Sequence, residues 1–481
     1  MNDEELLKKN IEAVLASVPC AVTLPAGTGK TELISAAAAE IASRGGTSLV
    51  LTHTHAGVDA LRQRMRKFGV GRDHVVIRTI DSWSFDLIAH FPDLAELSAP
   101  AVPDWRKSAE YHLAAARATH SNAVARMLRA SYAFLFVDEY QDCLVDQHEL
   151  VKAIAVTVPT AVFGDPLQSL LNFGPNRPVD WNEDVLPSFP MLTIPSRPRR
   201  WEPDHLSLGT WLTEVRKSLS SEMPIDLSHA PITWERRIND RTYVGVCNKA
   251  LRGGGRIAIL GRYRPDCVSA ANRLKGAYTV MEAMDEKKLT DSAKKLDAGD
   301  GASVAFAVVE FAISCCSGLA AHIPSAKRKR LAEGKSFSVR NPQLQPAYGA
   351  VLKVRDDPSP ANIRVAFDLL CHLSDVCIYC LEAWKEVVCS VAIADTDKCT
   401  VLEALNKRRS NTRAVGRRSA RRVVSRPLLV KGLEYDHVII LKPEDYSAQE
   451  LYVALTRGSK SVTVISDTMV LPPAKMAGRK A

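Results

Sequence analysis

Residues Leu24–Glu32 read LPAGTGKTE, and their flanks constrain the fold more than anything else in the chain. The preceding CAVTL reads as a short buried strand, and the following ELISAAAAEIASR as an alanine-rich helix. In a strand–loop–helix unit, Gly27 and Gly29 let the backbone turn its N–H groups inward around a chain of phosphates. Pro25, Ala26 and Thr28 complete that cradle, Lys30 adds a point charge, and the Thr31 hydroxyl is placed to ligate Mg²⁺. The usual first motif glycine is replaced by Leu24. A loop of this kind predicts an α/β domain with a parallel sheet.

Two further segments pair a buried strand with polar residues at its tip. In YAFLFVDEYQD, Tyr132–Asp142, Asp138 can hold the metal through water, and Glu139 can orient and deprotonate an attacking water. In TAVFGDPLQSLLNF, Thr160–Phe173, Gln168 can touch both that water and a terminal phosphate. Asp165 reads as a turn cap, and Phe173 as a candidate base-stacking aromatic.

These segments resemble superfamily 1 helicases of the UvrD/Rep type, whose acidic motif reads DExQD. The resemblance runs through LVLTHTHAGVDALRQRM with Thr54 at a DNA-contacting position, VIRTIDSWSFDLI, LTIPSRP, RIAILGRYRPDCVSAANRL, LLVKGLEYDHVII and ELYVALTRGSKSVTVIS. It implies two RecA-like P-loop NTPase domains with parallel sheets, plus mostly helical insertions. The boundaries expected are 1–91 and 131–192 for domain 1A, 92–130 for a reduced 1B, 193–280 and 426–481 for 2A, and 281–425 for 2B. The cofactors implied are ATP and Mg²⁺. Arg197 and Arg457 would come from the second domain to the γ-phosphate, with Arg200 as the alternative to Arg197. Glu434 would meet the nucleotide sugar. The activity implied is ATP-dependent translocation on single-stranded or partially single-stranded DNA with 3′→5′ polarity. A DNA-stimulated NTPase subunit, with a nuclease or other protein as partner as in the Gabija anti-phage system, is one alternative. A non-enzymatic nucleic-acid-binding scaffold is another.

The chain departs from the family in several places. No adenine-reading glutamine precedes the loop, Ser196 stands where an adenine-stacking aromatic is usual, and Leu171 replaces a base-stacking tyrosine. Arg426 and Leu428 replace a threonine and a histidine.

The net charge of +9 favours a polyanionic partner. Its densest source is NKRRSNTRAVGRRSARRVVSR, Asn406–Arg426, where a continuous helix would align Arg409, Arg413, Arg417 and Arg421 as a phosphate-tracking ridge. A solvated face or linker is the alternative. DEKKLTDSAKKLDAGDG reads as a charged linker, and SFSVRNPQLQPAYGAVLKVRDDPSP as irregular. Cys377 and Cys380 form a CxxC near Cys371 and Cys389. The run Ile363–Ala392 has no Gly or Pro and predicts one helix, which favours buried thiols over a metal knuckle. No apolar run is long enough to span a membrane, and MNDEELLKKN is not signal-like, so a soluble cytoplasmic protein is expected. The chain ends soon after Arg457, so no appended nuclease domain is expected.

Overall fold

The computed structural model describes residues 2–101, 103–170, 177–239, 242–281, 286–339, 341–415 and 420–476. It divides into two compact units. The first comprises Met1–Ile232, Tyr446–Lys460 and Val470–Ala481, and the second Thr233–Asp445 and Ser461–Met469.

The first unit is built on a six-stranded sheet of order β3-β2-β4-β5-β1-β6. Its strands are β1 (Cys20–Thr23), β2 (Ser48–Thr52), β3 (Val75–Thr79), β4 (Phe134–Val137), β5 (Thr160–Gly164) and β6 (Met191–Leu192). Every registered pair is parallel. The inner strands β1, β2, β4 and β5 are nearly continuous apolar runs, as a sheet covered on both faces requires. One face packs on the helices Lys30–Ser43 and His55–Lys67 through Leu33, Ile34, Val58 and Leu61. The other packs on Ile80–His90, Ser108–Thr119 and Val145–Ala155. The helices of region 92–130 thus share this core. His112, fully buried, ties the second layer together by bonding Asp146 and Asp81. Burial alone would lower the His112 pKa, but the two carboxylates more than offset it and raise it. A short strand, β7 (Ile225–Asp226), follows the helix Leu206–Ser220.

The second unit holds another six-stranded sheet, of order β10-β13-β9-β14-β15-β8. Its strands are β8 (Thr233–Arg236), β9 (Ile257–Leu260), β10 (Thr279–Val280), β13 (Arg422–Ser425), β14 (Tyr435–Leu441) and β15 (Gly458–Ser466, which enters this unit at Ser461). The pair β11 (Cys316–Ser317) and β12 (Cys377–Ile378) stands apart as a small antiparallel ladder. One hydrophobic core runs from Ile257, Ile259 and Ile439 of the large sheet into the helical region. Within the first unit, β16 (Val470–Leu471) pairs antiparallel with β7. The architecture is the expected α/β class, with two parallel sheets and a helical insertion. Among the described residues, no helix is long and apolar enough to cross a membrane.

Four local expectations are corrected. The charged segment contains a helix, Glu286–Leu296, because Leu289, Ala293 and Leu296 recur on one face and are buried. The proline-rich stretch contains the helix Gln345–Asp356, where Pro346 lies in the first turn and so costs no hydrogen bond. Ile363–Ala392 is broken: one helix ends at Cys371, Asp375 takes a left-handed φ of 63°, and a second helix starts at Leu381. Aspartate tolerates that conformation, so Ser374–Asp375 does the work of a glycine turn. Between the helices Cys377 enters β12, paired with β11. All eleven cysteines are free thiols. Burial pushes the Cys316 thiol up to about 12, and the neighbouring Cys371, Cys380 and Cys377 add to that. Among the described residues the one group of candidate metal ligands is Asp368, Cys371 and His372, without Cys377 or Cys380.

The fourth correction concerns the arginine ridge. The helix Val401–Val415 carries Arg409, whose guanidinium donates to Thr290 Oγ1 at 3.2 Å. Arg421 precedes β13 in a bend, and its carbonyl accepts from Ile257 N–H at 2.8 Å, so it does not continue that helix. The Arg413 side chain and Arg417 lie outside the described residues.

Candidate nucleotide site

The phosphate loop joins β1 to the helix Lys30–Ser43. Gly27 and Gly29 have φ of 73° and 93°, a conformation that side-chain-bearing residues rarely adopt. A Cβ on Gly27 would also lie 2.8 Å from the Trp201 ring and 2.9 Å from Arg200 Cβ. Thr28 Oγ1 donates to Pro25 O at 2.8 Å, which closes the loop on itself. Gly29 caps the helix, so the N–H groups of the first turn, including those of Lys30 and Thr31, open toward the loop.

At the tip of β4, one strand beyond β5, Lys30 Nζ donates to Glu139 Oε1 at 2.8 Å and lies 3.6 Å from Asp138 Oδ1. Burial alone would lower the Lys30 pKa, but Glu139 and Asp138 reverse this and hold it above the ordinary lysine value. Burial pushes the Asp138 carboxyl above the usual carboxylate range, against the pull of Lys30 and with the help of Glu139. Glu139 itself has φ 57°, a strained conformation for a non-glycine residue. The strain turns its carboxylate back toward Lys30 and Gln141.

Behind the acidic pair runs a hydrogen-bonded chain that the sequence did not announce. Gln141 Nε2 donates to Glu139, and its Oε1 accepts from Asp165 N–H at 3.0 Å. Asp165 is fully buried and caps the turn as expected, accepting from Leu167 N–H. Its carboxylate also accepts from Gln168 Nε2 at 3.1 Å and from Arg216 at 2.8 Å. Arg216 further bonds the Tyr452 hydroxyl, which accepts from Ala26 N–H of the phosphate loop at 3.1 Å. Gln168 Oε1 accepts from Arg457 at 3.3 Å. Arg457 is buried and also donates to Val453 O and Thr456 Oγ1.

The two candidate arginines of LTIPSRPRRW sit differently. Arg197 pairs with Asp3 at 3.0 Å, and both are exposed. Arg200 N–H donates to Gly27 O at 3.0 Å, and its guanidinium donates to Thr456 O at 2.6 Å. Arg199 crosses Gly29 and pairs with Glu32 at 3.0 Å. The segment Arg199–Trp201 therefore lies against the phosphate loop, whereas Arg197 pairs with Asp3. Arg457 also belongs to the first unit, with the loop.

The remaining candidates are placed as follows. Thr54 caps the helix His55–Lys67 by accepting from Gly57 N–H at 3.0 Å, at the C-terminal end of β2. Glu434 is exposed in the turn before β14, in the second unit. Phe173 lies outside the described residues. Arg216, Tyr452 and Trp201 were not singled out by the sequence. Arg216 lies between Glu214 and Lys217 in a helix and reads there as part of a solvated charged face.

The turned loop, its lysine and the acidic strand tip define a P-loop nucleotide site. Residues 8–174 match the family model described as "AAA domain", which supports a P-loop NTPase reading of this region. Among curated proteins, no sequence relative of the chain was found.

Arg216→Leu is expected to destabilise the first unit by about 3 kcal/mol, because it strands the buried Asp165 charge. The loss falls at the low end of the range for broken buried pairs, since Gln168 and Leu167 still donate to that carboxylate. Urea denaturation measures it, and an unchanged midpoint would show that the pair contributes nothing.

Proposed function

We propose that the chain is an ATP-dependent translocase or helicase acting on single-stranded DNA, with 3′→5′ polarity taken from the UvrD/Rep resemblance. The observation that carries this reading is the Gln168–Arg457 bond beside the acidic pair. It joins a water-positioning amide to a cation that can neutralise charge on a transferred phosphoryl group. Thr31 and Asp138 offer hard oxygen donors suited to Mg²⁺, which would neutralise phosphate charge when bound. Lys30 would bind the β- and γ-phosphates. Glu139 would accept the proton of the attacking water. Arg200 replaces Arg197 as the second cation, since it touches the loop. Thr54 tops an exposed helix N-terminus, a surface suited to a DNA phosphate. We assign the second sheet to the partner motor domain 2A, and the helices between Glu286 and Val415 to the accessory insertion 2B.

The test is ATP turnover with and without oligo(dT). Turnover is expected to rise severalfold with the oligonucleotide. Turnover unaffected by DNA of any length would overturn the translocase reading and leave the NTPase domain in place.

A further inference from the structure

The edge strand β3 borders a groove that the nucleotide chemistry does not use. It is a cleft of about 550 Å³ between β3 and the second half of the helix His55–Lys67. Met65, Val70, Val75 and Ile77 give it an apolar lining, and Arg62, Arg66, Arg72 and Arg78 surround it. All four arginines are exposed. β3 pairs with β2 on one side only and ends the sheet. One row of its backbone N–H and C=O groups therefore faces away from the sheet.

From these features we infer that this groove binds an extended, acidic segment of a protein partner, which adds to the sheet as a strand beside β3. Main-chain hydrogen bonds to a free edge supply affinity, and alternate side chains supply specificity. A segment alternating apolar and acidic residues would lay its apolar set along the half-buried Val75 and the largely buried Met65, Val70 and Ile77 that line the cleft, and its carboxylates among the arginines. The acid partners those arginines already have are weakly held: Arg62–Asp59 and Arg78–Asp86 are each 3.5 Å apart and about half exposed. Arginines on an edge can serve only to repel a second sheet. A merely guarded edge does not need an apolar cleft beside it. Nucleic acid fits less well, because no aromatic ring lines the groove. Thr54 lies at the opposite end of the helix His55–Lys67 from the cleft.

The test uses a fluorescein-labelled peptide of about nine residues alternating glutamate and valine, with fluorescence anisotropy as readout. The wild-type chain should bind it, and the double variant Arg66→Glu/Arg78→Glu should bind at least about tenfold more weakly. The same peptide N-methylated at alternate amides should lose binding, because it cannot pair with the edge. Basal ATP turnover of the variant should match wild type, which verifies the fold. Failure of the peptide to bind wild type overturns the inference, as does equal binding by the double variant or the N-methylated peptide. Oligo(dT) affinity falling by the same factor as peptide affinity would make the groove a nucleic-acid face instead.

Discussion

Glu139→Gln is expected to lower ATP turnover by about 10³-fold while ATP binding stays near wild type. The amide oxygen can still accept from Lys30, so the 2.8 Å contact has a neutral replacement. Asp138 and Thr31 keep their oxygen donors. The left-handed backbone at position 139 burdens glutamine and glutamate alike, so the fold should be retained. What disappears is the carboxylate proposed to take the proton, while Asp138 would remain to hold the metal. Single-turnover hydrolysis alongside equilibrium binding of a fluorescent ATP analogue separates the two effects. Turnover within a few-fold of wild type would refute the assignment of Glu139 as base.

Arg457→Ala and Arg200→Ala are expected to cut kcat by about 10²-fold or more, with much smaller changes in ATP affinity. Arg197→Ala should be nearly silent, because Arg197 is spent on an exposed pair with Asp3. Arg457 carries a second consequence. Its loss removes a donor to Gln168 Oε1, so Gln168→Ala and Arg457→Ala should be less than additive in kcat. Steady-state kinetics of the three arginine variants decides the matter. A defect in Arg197→Ala with normal Arg200→Ala would restore the register that places Arg197 at the phosphate.

Much of the first unit was legible because apolar runs of strand length end in the residues that carry the chemistry. Phe134–Val137 before Asp138 and Thr160–Gly164 before Asp165 are of this kind. Where that periodicity was diluted, the reading failed. Glu286–Leu296 has three buried apolar positions among its charges, and its helical face emerges only against its neighbours. Ile363–Ala392 hid a turn because aspartate, not glycine, supplies it. The register of PSRPRRW was open because three arginines in a proline-rich segment have no period to distinguish them. Arg216 lies about fifty residues from Asp165 in sequence, and no local spacing announces a long-range pair.

The chain of bonds behind the acidic pair closes on itself. It runs from Ala26 through Tyr452, Arg216, Asp165, Gln141 and Glu139 to Lys30, four residues from where it began. A closed circuit has no end from which one member can be changed in isolation. Substitutions at Tyr452, Arg216 and Gln141, none of which carries a proposed chemical step, should therefore show strong epistasis with one another in both stability and turnover. Tolerance to drift at these three positions is then collective: each is free to change only when the others change with it.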